Sequence, residues 1–166
     1  MTKAVSPVPG SGRAPAEAVA FVGPGWYDTA RMAGSIVDRL EQGKLRFLVE
    51  QQGTLLFASD RPGLLPLRDA VFEHGRLLDG ADVAVPACGL GCAYLMLFAK
   101  AGRVFARVMS REAHRALAEE GIEHAAGQVL ERLPEEHRAA HEPLDVRARA
   151  AVTPLAFVED VRRLTE

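Results

Sequence analysis

Leu45-Arg46-Phe47-Leu48-Val49-Glu50-Gln51-Gln52-Gly53-Thr54-Leu55-Leu56-Phe57-Ala58 is the stretch on which the fold turns. Leu45, Phe47 and Val49 alternate with Arg46 and Leu48, the period of a strand with one well-defined apolar face. Gln51-Gln52-Gly53 has the chemistry of a tight turn, because glycine takes left-handed backbone angles at no steric cost. Thr54 to Ala58 then returns as a second strand. The stretch reads as an antiparallel hairpin.

Before the hairpin, Asp28 or Thr29 can cap a helix running to about Gln42. Ala30, Ala33, Ile36, Val37 and Leu40 share its inner face, and Gly43 suits the stop. After the hairpin, Ser59 to Gly63 is a loop and Leu64 to Leu78 a helix, with Pro66 tolerable in its first turn. Asp79-Gly80 ends it. Ala81 to Pro86 is a short ambiguous stretch. It leads into a helix from about Cys88 to Lys100 that is apolar nearly all round, as a helix packed on both sides must be. Val104 to Met109 reads as a central strand. Ser110 caps a helix through Glu120, Gly121 stops it, and Ile122 begins one further short strand. A hairpin followed by alternating helices and strands implies a mixed sheet with helices on both faces, an α/β fold.

The ends differ from this middle. Residues 1–27 are rich in Pro, Gly, Ser and Ala and read as a flexible N-terminal segment, with an arm built on Phe21, Trp26 and Tyr27 as the alternative. Residues 28–130 form the α/β domain. Residues 131–166 are a charged, Ala-rich C-terminal extension, partly helical, with Leu155 to Leu164 as one helical piece.

Composition narrows the function. The 166 residues are 48% hydrophobic and 25% charged, enough apolar material for one core. Twenty basic residues against 22 acidic ones leave a net charge of −2, so no electrostatic footprint for nucleic acid or a membrane surface is evident. The longest apolar run, Cys92 to Ala99, falls far short of the ~20 residues that span a bilayer. The start of the chain has no continuous apolar stretch of the signal-peptide kind. With two cysteines only, the expected location is the cytoplasm.

From about Ile36 to Glu123 the chain resembles a family of uncharacterised bacterial domains with a cytidine-deaminase-like fold. The matching residues are Leu45 to Val49 with Gly53 to Phe57, Gly63-Leu64-Leu65-Pro66-Leu67, and Leu78 to Ala84. They continue with Gly89 leading an alanine-rich helix, Val104 to Ser110, and Ala113, Leu117 and Gly121-Ile122. The resemblance implies a three-layer α/β/α sandwich. Zinc deaminases of that fold place a His or Cys ligand two residues before a proton-shuttling Glu, and a Pro-Cys-x-x-Cys pair at a second helix. Here Cys92-Ala93-Tyr94 offers a tyrosine where the carboxylate belongs, and Ser110-Arg111-Glu112-Ala113 stands where two cysteines should. Zinc-dependent deamination is not expected, and no catalytic residue, cofactor or metal is assigned. The chain also departs from the family it resembles. Val85-Pro86 replaces its Asp-Lys pair, and its C-terminal Cys-Pro motif is missing.

Other constellations are weighed against plainer readings. Cys88 and Cys92, four apart, would share one helix face, where a pair can chelate a metal with an outside ligand or form a redox couple, but they read as two small hydrophobes. Gly89 and Gly91 beside them imply close backbone approach, to a strand or to a ligand. His137 and His141 have metal-binding spacing, but Arg138 follows the first where a zinc-protease helix has Glu, so a solvated charged helix is the better reading. His74, His114 and His124 have no assignable partner.

The expected function is a non-catalytic binding module. Its ligand would lie where helix N-termini converge, at Cys88, Gly89, Ser110 and Arg111, because free N–H groups there suit an anionic or carbonyl-bearing molecule. A nucleoside-like ligand follows from the resemblance alone. One alternative is an enzyme using a Cys88 thiolate; another is an assembly or regulatory subunit. A homodimer is the expected oligomer.

Overall fold

The hairpin forms as read, from β2 (Phe47–Gln51) into β3 (Thr54–Ser59), antiparallel. Gln52 and Gly53 both have positive φ, 50° and 79°, the backbone of a two-residue turn whose twist matches that of the strands. The computed structural model describes residues 20–22 and 36–164. The cap at Asp28 or Thr29 and the aromatic residues Trp26 and Tyr27 lie outside them. Ala20–Val22 forms a short edge strand, β1, which corrects the flexible reading for those three residues. Residues 36–42 form helix α1.

Downstream come α2 (Leu65–Glu73), α3 (Gly75–Leu78), β4 (Asp82–Cys88) and α4 (Leu90–Phe98). They are followed by β5 (Arg103–Ser110), α5 (Arg111–Glu119), β6 (Glu123–Leu130), α6 (Glu135–Ala150) and α7 (Pro154–Arg163). The six strands form one mixed sheet in the order β1-β6-β5-β4-β2-β3. β4, β5 and β6 run parallel, and β2 joins β4 antiparallel.

Strand alternation divides the core in two. Leu48, Ala84, Phe105 and Ala125 face Ile36 and Leu40 of α1 on one side of the sheet. Small side chains at 84 and 125 leave room for the Phe105 ring. Val49, Val83, Val85, Val104 and Ala106 face the other way into the larger cluster, with α2, α4, α5 and α7. Its centre is α4, packed against α2, α5, α6 and α7, which explains why that helix is apolar nearly all round.

Several sequence expectations need correction. The ambiguous stretch at 81–86 is strand β4, at the middle of the sheet. Pro86 is accommodated there because pairing with β2 ends at Ala84, so its missing N–H leaves no ladder bond unmade. The helix at 64–78 breaks at His74 into α2 and α3. The short strand at Ile122 is the eight-residue β6, which pairs with β5 at seven positions and with β1 at three. α1 ends on Lys44, not Gly43, as its left-handed residue (φ 51°). Cys88 ends β4 while Cys92 lies in α4, so they share no helix face. No helix among the described residues is long and apolar enough to cross a membrane.

The C-terminal extension packs into the same body. Ala148 of α6 and Phe157, Val158 and Val161 of α7 are buried in the larger cluster. Tyr94, the residue standing where a deaminase carboxylate would be, meets Phe157 edge to face at 5.6 Å.

Candidate functional site

The carboxyl ends of the parallel strands β4, β5 and β6 bring together Cys88, Ser110 and Leu130, and α6 lies across them. Ser110 caps α5 by accepting from the Ala113 N–H at 3.2 Å. Gly89 caps α4 without a side chain to contribute. Its place is taken by Asp145 of α6, whose Oδ1 accepts from the Gly91 N–H at 2.8 Å. The protein thus supplies its own anion to the helix end, where N–H groups and dipole favour one.

That contact explains both glycines. A Cβ at Gly89 would lie 2.4 to 2.9 Å from the Asp145 carboxylate, and one at Gly91 would lie 2.8 Å from Leu144 Cβ. The close approach implied by the sequence is made by α6.

Asp145 is buried, and burial pushes its carboxyl up from 3.8 to about 6, against the pull of the Gly91 N–H and of Arg149. Arg149 is already engaged, forking onto Glu112 of α5 at 2.8 and 2.9 Å and reaching Glu142 at 3.3 Å. Those two carboxylates raise the Arg149 pKa further. One turn before Asp145, His141 is buried with its Nδ1 unpartnered, and burial lowers its pKa to about 4. His141, Asp145 and Ala148 form the buried face of α6. The solvated reading of the His137–His141 helix is therefore corrected for that face.

Beside Asp145 opens a cavity of about 500 Å³. Ser110, Glu112 and Glu131 wall it from the sheet side, and Arg138, Glu142 and Arg149 from α6. Arg132 and Leu133, from the connection after β6, complete it. Acids and guanidiniums share the wall, so a bound molecule meets hydrogen-bond acceptors and donors together.

The four residues singled out from sequence sit at this end of the sheet but do not share one surface. Ser110 lines the cavity. Arg111 pairs with Glu131. Gly89 is buried under Asp145, and Cys88 is 0% exposed. Cys92 is equally buried, and the Cys88 side chain and burial together hold its thiol well above the usual range. Asp145, Arg138 and Arg149 were missed, because a face repeating at 141, 145 and 148 is hidden among charges on every side. Elsewhere His124 Nδ1–H donates to the Ile122 carbonyl at 2.8 Å, so its Nε2 accepts from His114 Nδ1–H at 2.7 Å. Each of these histidines therefore has a partner. Among the described residues, no three His, Cys, Asp or Glu side chains are grouped to hold a metal ion.

The family model TM1506, a domain of unknown function (DUF1893), matches residues 35–130, from α1 through β6. The chain belongs to the DUF1893 family. A crystal structure of a DUF1893 family protein (TM1506) from Thermotoga maritima is similar over 80% of this chain and 89% of that one. Its TM-score is 0.65 at 21% identity, a likeness of fold alone. No curated protein matches the chain. The DUF1893 match stops before α6, so Asp145 and the α6 wall of the cavity come from sequence beyond the matched segment.

Proposed function

We propose that this DUF1893 protein is a non-catalytic binding module of cytidine-deaminase-like, three-layer design, holding a small polar molecule in the cavity beside Asp145. The observation that carries the reading is the position and lining of that cavity. Ligands of open α/β sheets bind outside the carboxyl ends of parallel strands, and this volume falls in the range that encloses a small molecule. Its mixed wall suits a ligand presenting donors and acceptors side by side, as a nucleobase or other cyclic amide does. The nucleoside-like class is supported by analogy of fold only.

The site differs from the one expected from sequence in what the α4 end does. Asp145 fills that end, so an anionic group has no vacancy there, and Ser110 and the α6 side chains become the contact surface. The thiolate alternative meets a fully buried Cys88. An assembly role finds some support in β3, an edge strand without a charge or a proline to discourage pairing with a second copy.

Native mass spectrometry of freshly purified full-length protein, compared with its denatured mass, tests the proposal. The expected result is extra mass lost on denaturation, with reduced occupancy in Arg138→Ala. The same spectrum counts subunits, for which a homodimer is proposed. A clean protein mass, together with no thermal shift from any of the nucleobases and nucleosides, would refute the ligand reading.

A further inference from the structure

A second cavity, of about 710 Å³, lies on the other side of α6. It is bounded by the end of α1, the link from α1 to β2, Pro86 of β4, Arg107 of β5 and the first turn of α6. We infer that this cleft binds a phosphate group, free or carried on a small molecule, through Lys44, Arg46 and Arg107 in the wall they share with His137.

Charge is the first argument. Lys44, Arg46 and Arg107 stand against Glu41 and Glu136 in the wall, three cations to two carboxylates. Glu41 is engaged by Arg107 at 2.7 Å, and Glu136 lies 3.4 Å from His137 on a largely exposed side chain. Among the described residues neither Lys44 nor Arg46 has a carboxylate partner, whereas the buried Glu50 and Asp82 are each held by an arginine. Lys44 and Arg46 thus face one concavity in which Glu136 is the one carboxylate not held by an arginine, a net excess of one positive charge. Both arginines reach His137 electrostatically: burial lowers its pKa, Glu136 opposes, and Arg46 and Arg107 lower it further. Arg46 and Arg107 therefore act on one point, with Lys44 in the same wall.

Backbone geometry is the second argument. Lys44 closes α1 with φ 51°, its neighbour Leu45 donating back to the Leu40 carbonyl at 2.8 Å. A left-handed L-residue costs about 1 kcal/mol, and glycine is the usual occupant. Gly43 stands next door but is used for clearance, since a Cβ there would come within 3.2 Å of the Arg39 carbonyl. A cation at a helix C-terminus complements the dipole, which accounts for Lys44 in part. It does not account for Arg46, fixed by its N–H bond to the Ser59 carbonyl at 2.7 Å. Guanidinium forks match phosphate oxygens two at a time, and an ammonium adds a point charge. α6 contributes an N-terminus with no side-chain cap, because its cap residue is Pro134.

The test is an NMR titration of the full chain with inorganic phosphate, holding ionic strength constant with chloride. Saturable shifts at the Lys44 and Arg46 amides are expected, with a raised His137 pKa as the dianion offsets Arg46 and Arg107. Arg46→Ala should weaken binding by about tenfold, the loss of one charge-assisted contact. Lys44→Gly relieves the strained backbone, so it should fold at least as well as the parent and still bind more weakly. A nucleoside monophosphate binding tighter than phosphate would assign the site to a phosphorylated metabolite; equal affinity would assign it to the free ion. Shifts that do not saturate, or that persist unchanged in both variants, would overturn the inference. The cleft is separate from the cavity beside Asp145, so loss of either site leaves the other standing.

Discussion

Replacing Asp145 with asparagine should stabilise the protein at neutral pH, although it removes a buried carboxylate from a helix N-terminus. Asp145 is 4% exposed and, among the described residues, forms no ion pair, while Arg149 is already shared by Glu112 and Glu142. Burial lifts its pKa from 3.8 to about 6. At about 1.4 kcal/mol per unit, the shift corresponds to an upper bound of roughly 3 kcal/mol against the charged form. The unfolded chain releases this proton near pH 4 and the folded chain near pH 6. Between those values the native state holds more protons, so stability present below about pH 4 is lost as pH rises through about 6. Asparagine keeps an oxygen for the Gly91 N–H and carries no charge. The expected gain is about 1–3 kcal/mol at pH 7.5, shrinking towards zero below pH 4, where the aspartate is protonated as well. Urea unfolding followed by circular dichroism at both pH values measures it. For a chain of this size the neutral-pH gain should appear as about 2–4 °C in Tm per kcal/mol. A variant less stable than the parent at pH 7.5, or a difference independent of pH, would show that the helix-end charge outweighs its desolvation and would refute the reasoning.

Further outcomes follow from the same packing. Gly91→Ala gains helix propensity of about 1 kcal/mol but drives its Cβ to 2.8 Å from Leu144 Cβ and 3.1 Å from the Leu144 carbonyl carbon. Overpacking against backbone should win, for a net loss of about 1–2 kcal/mol and faster amide exchange along α6. Gly75→Ala, with nothing within 4 Å, is the control and should be neutral or stabilising. His124 and His141 titrate near 4 when folded, from 6.5. Their stability contribution is therefore present above about pH 6.5 and falls as pH drops through about 4. His141→Leu should flatten that acid limb, and a limb of unchanged slope would remove His141 from the explanation. Iodoacetamide at pH 7.5 should label neither Cys88 nor Cys92 until urea unfolds the chain, because both are buried. Rapid native labelling of Cys88 would revive the thiolate alternative.

Local signals in the sequence were enough for the hairpin, the Ser110 cap, the buried character of α4 and the central strand β5. Each rests on a period or a cap carried by neighbouring residues. β4 was not legible, because Asp82–Cys88 contains a proline and lacks alternation; it is a strand because the sheet surrounds it. The candidate site was half legible. Gly89, Gly91 and Ser110 announced a helix-end junction, and the need for close approach at the glycines was readable without coordinates. What approaches them was not. Asp145 lies 54 residues beyond Gly91 on a helix charged all round, and no local pattern links the two. The sequence by itself determined the hairpin, α4, β5 and α5 and the requirement for small residues at the α4 end, because those depend on steric and periodic rules acting over a few residues. Only the tertiary structure decided that α6 fills that end and parts two cavities, because its buried carboxylate and unpartnered imidazole are defined by long-range burial.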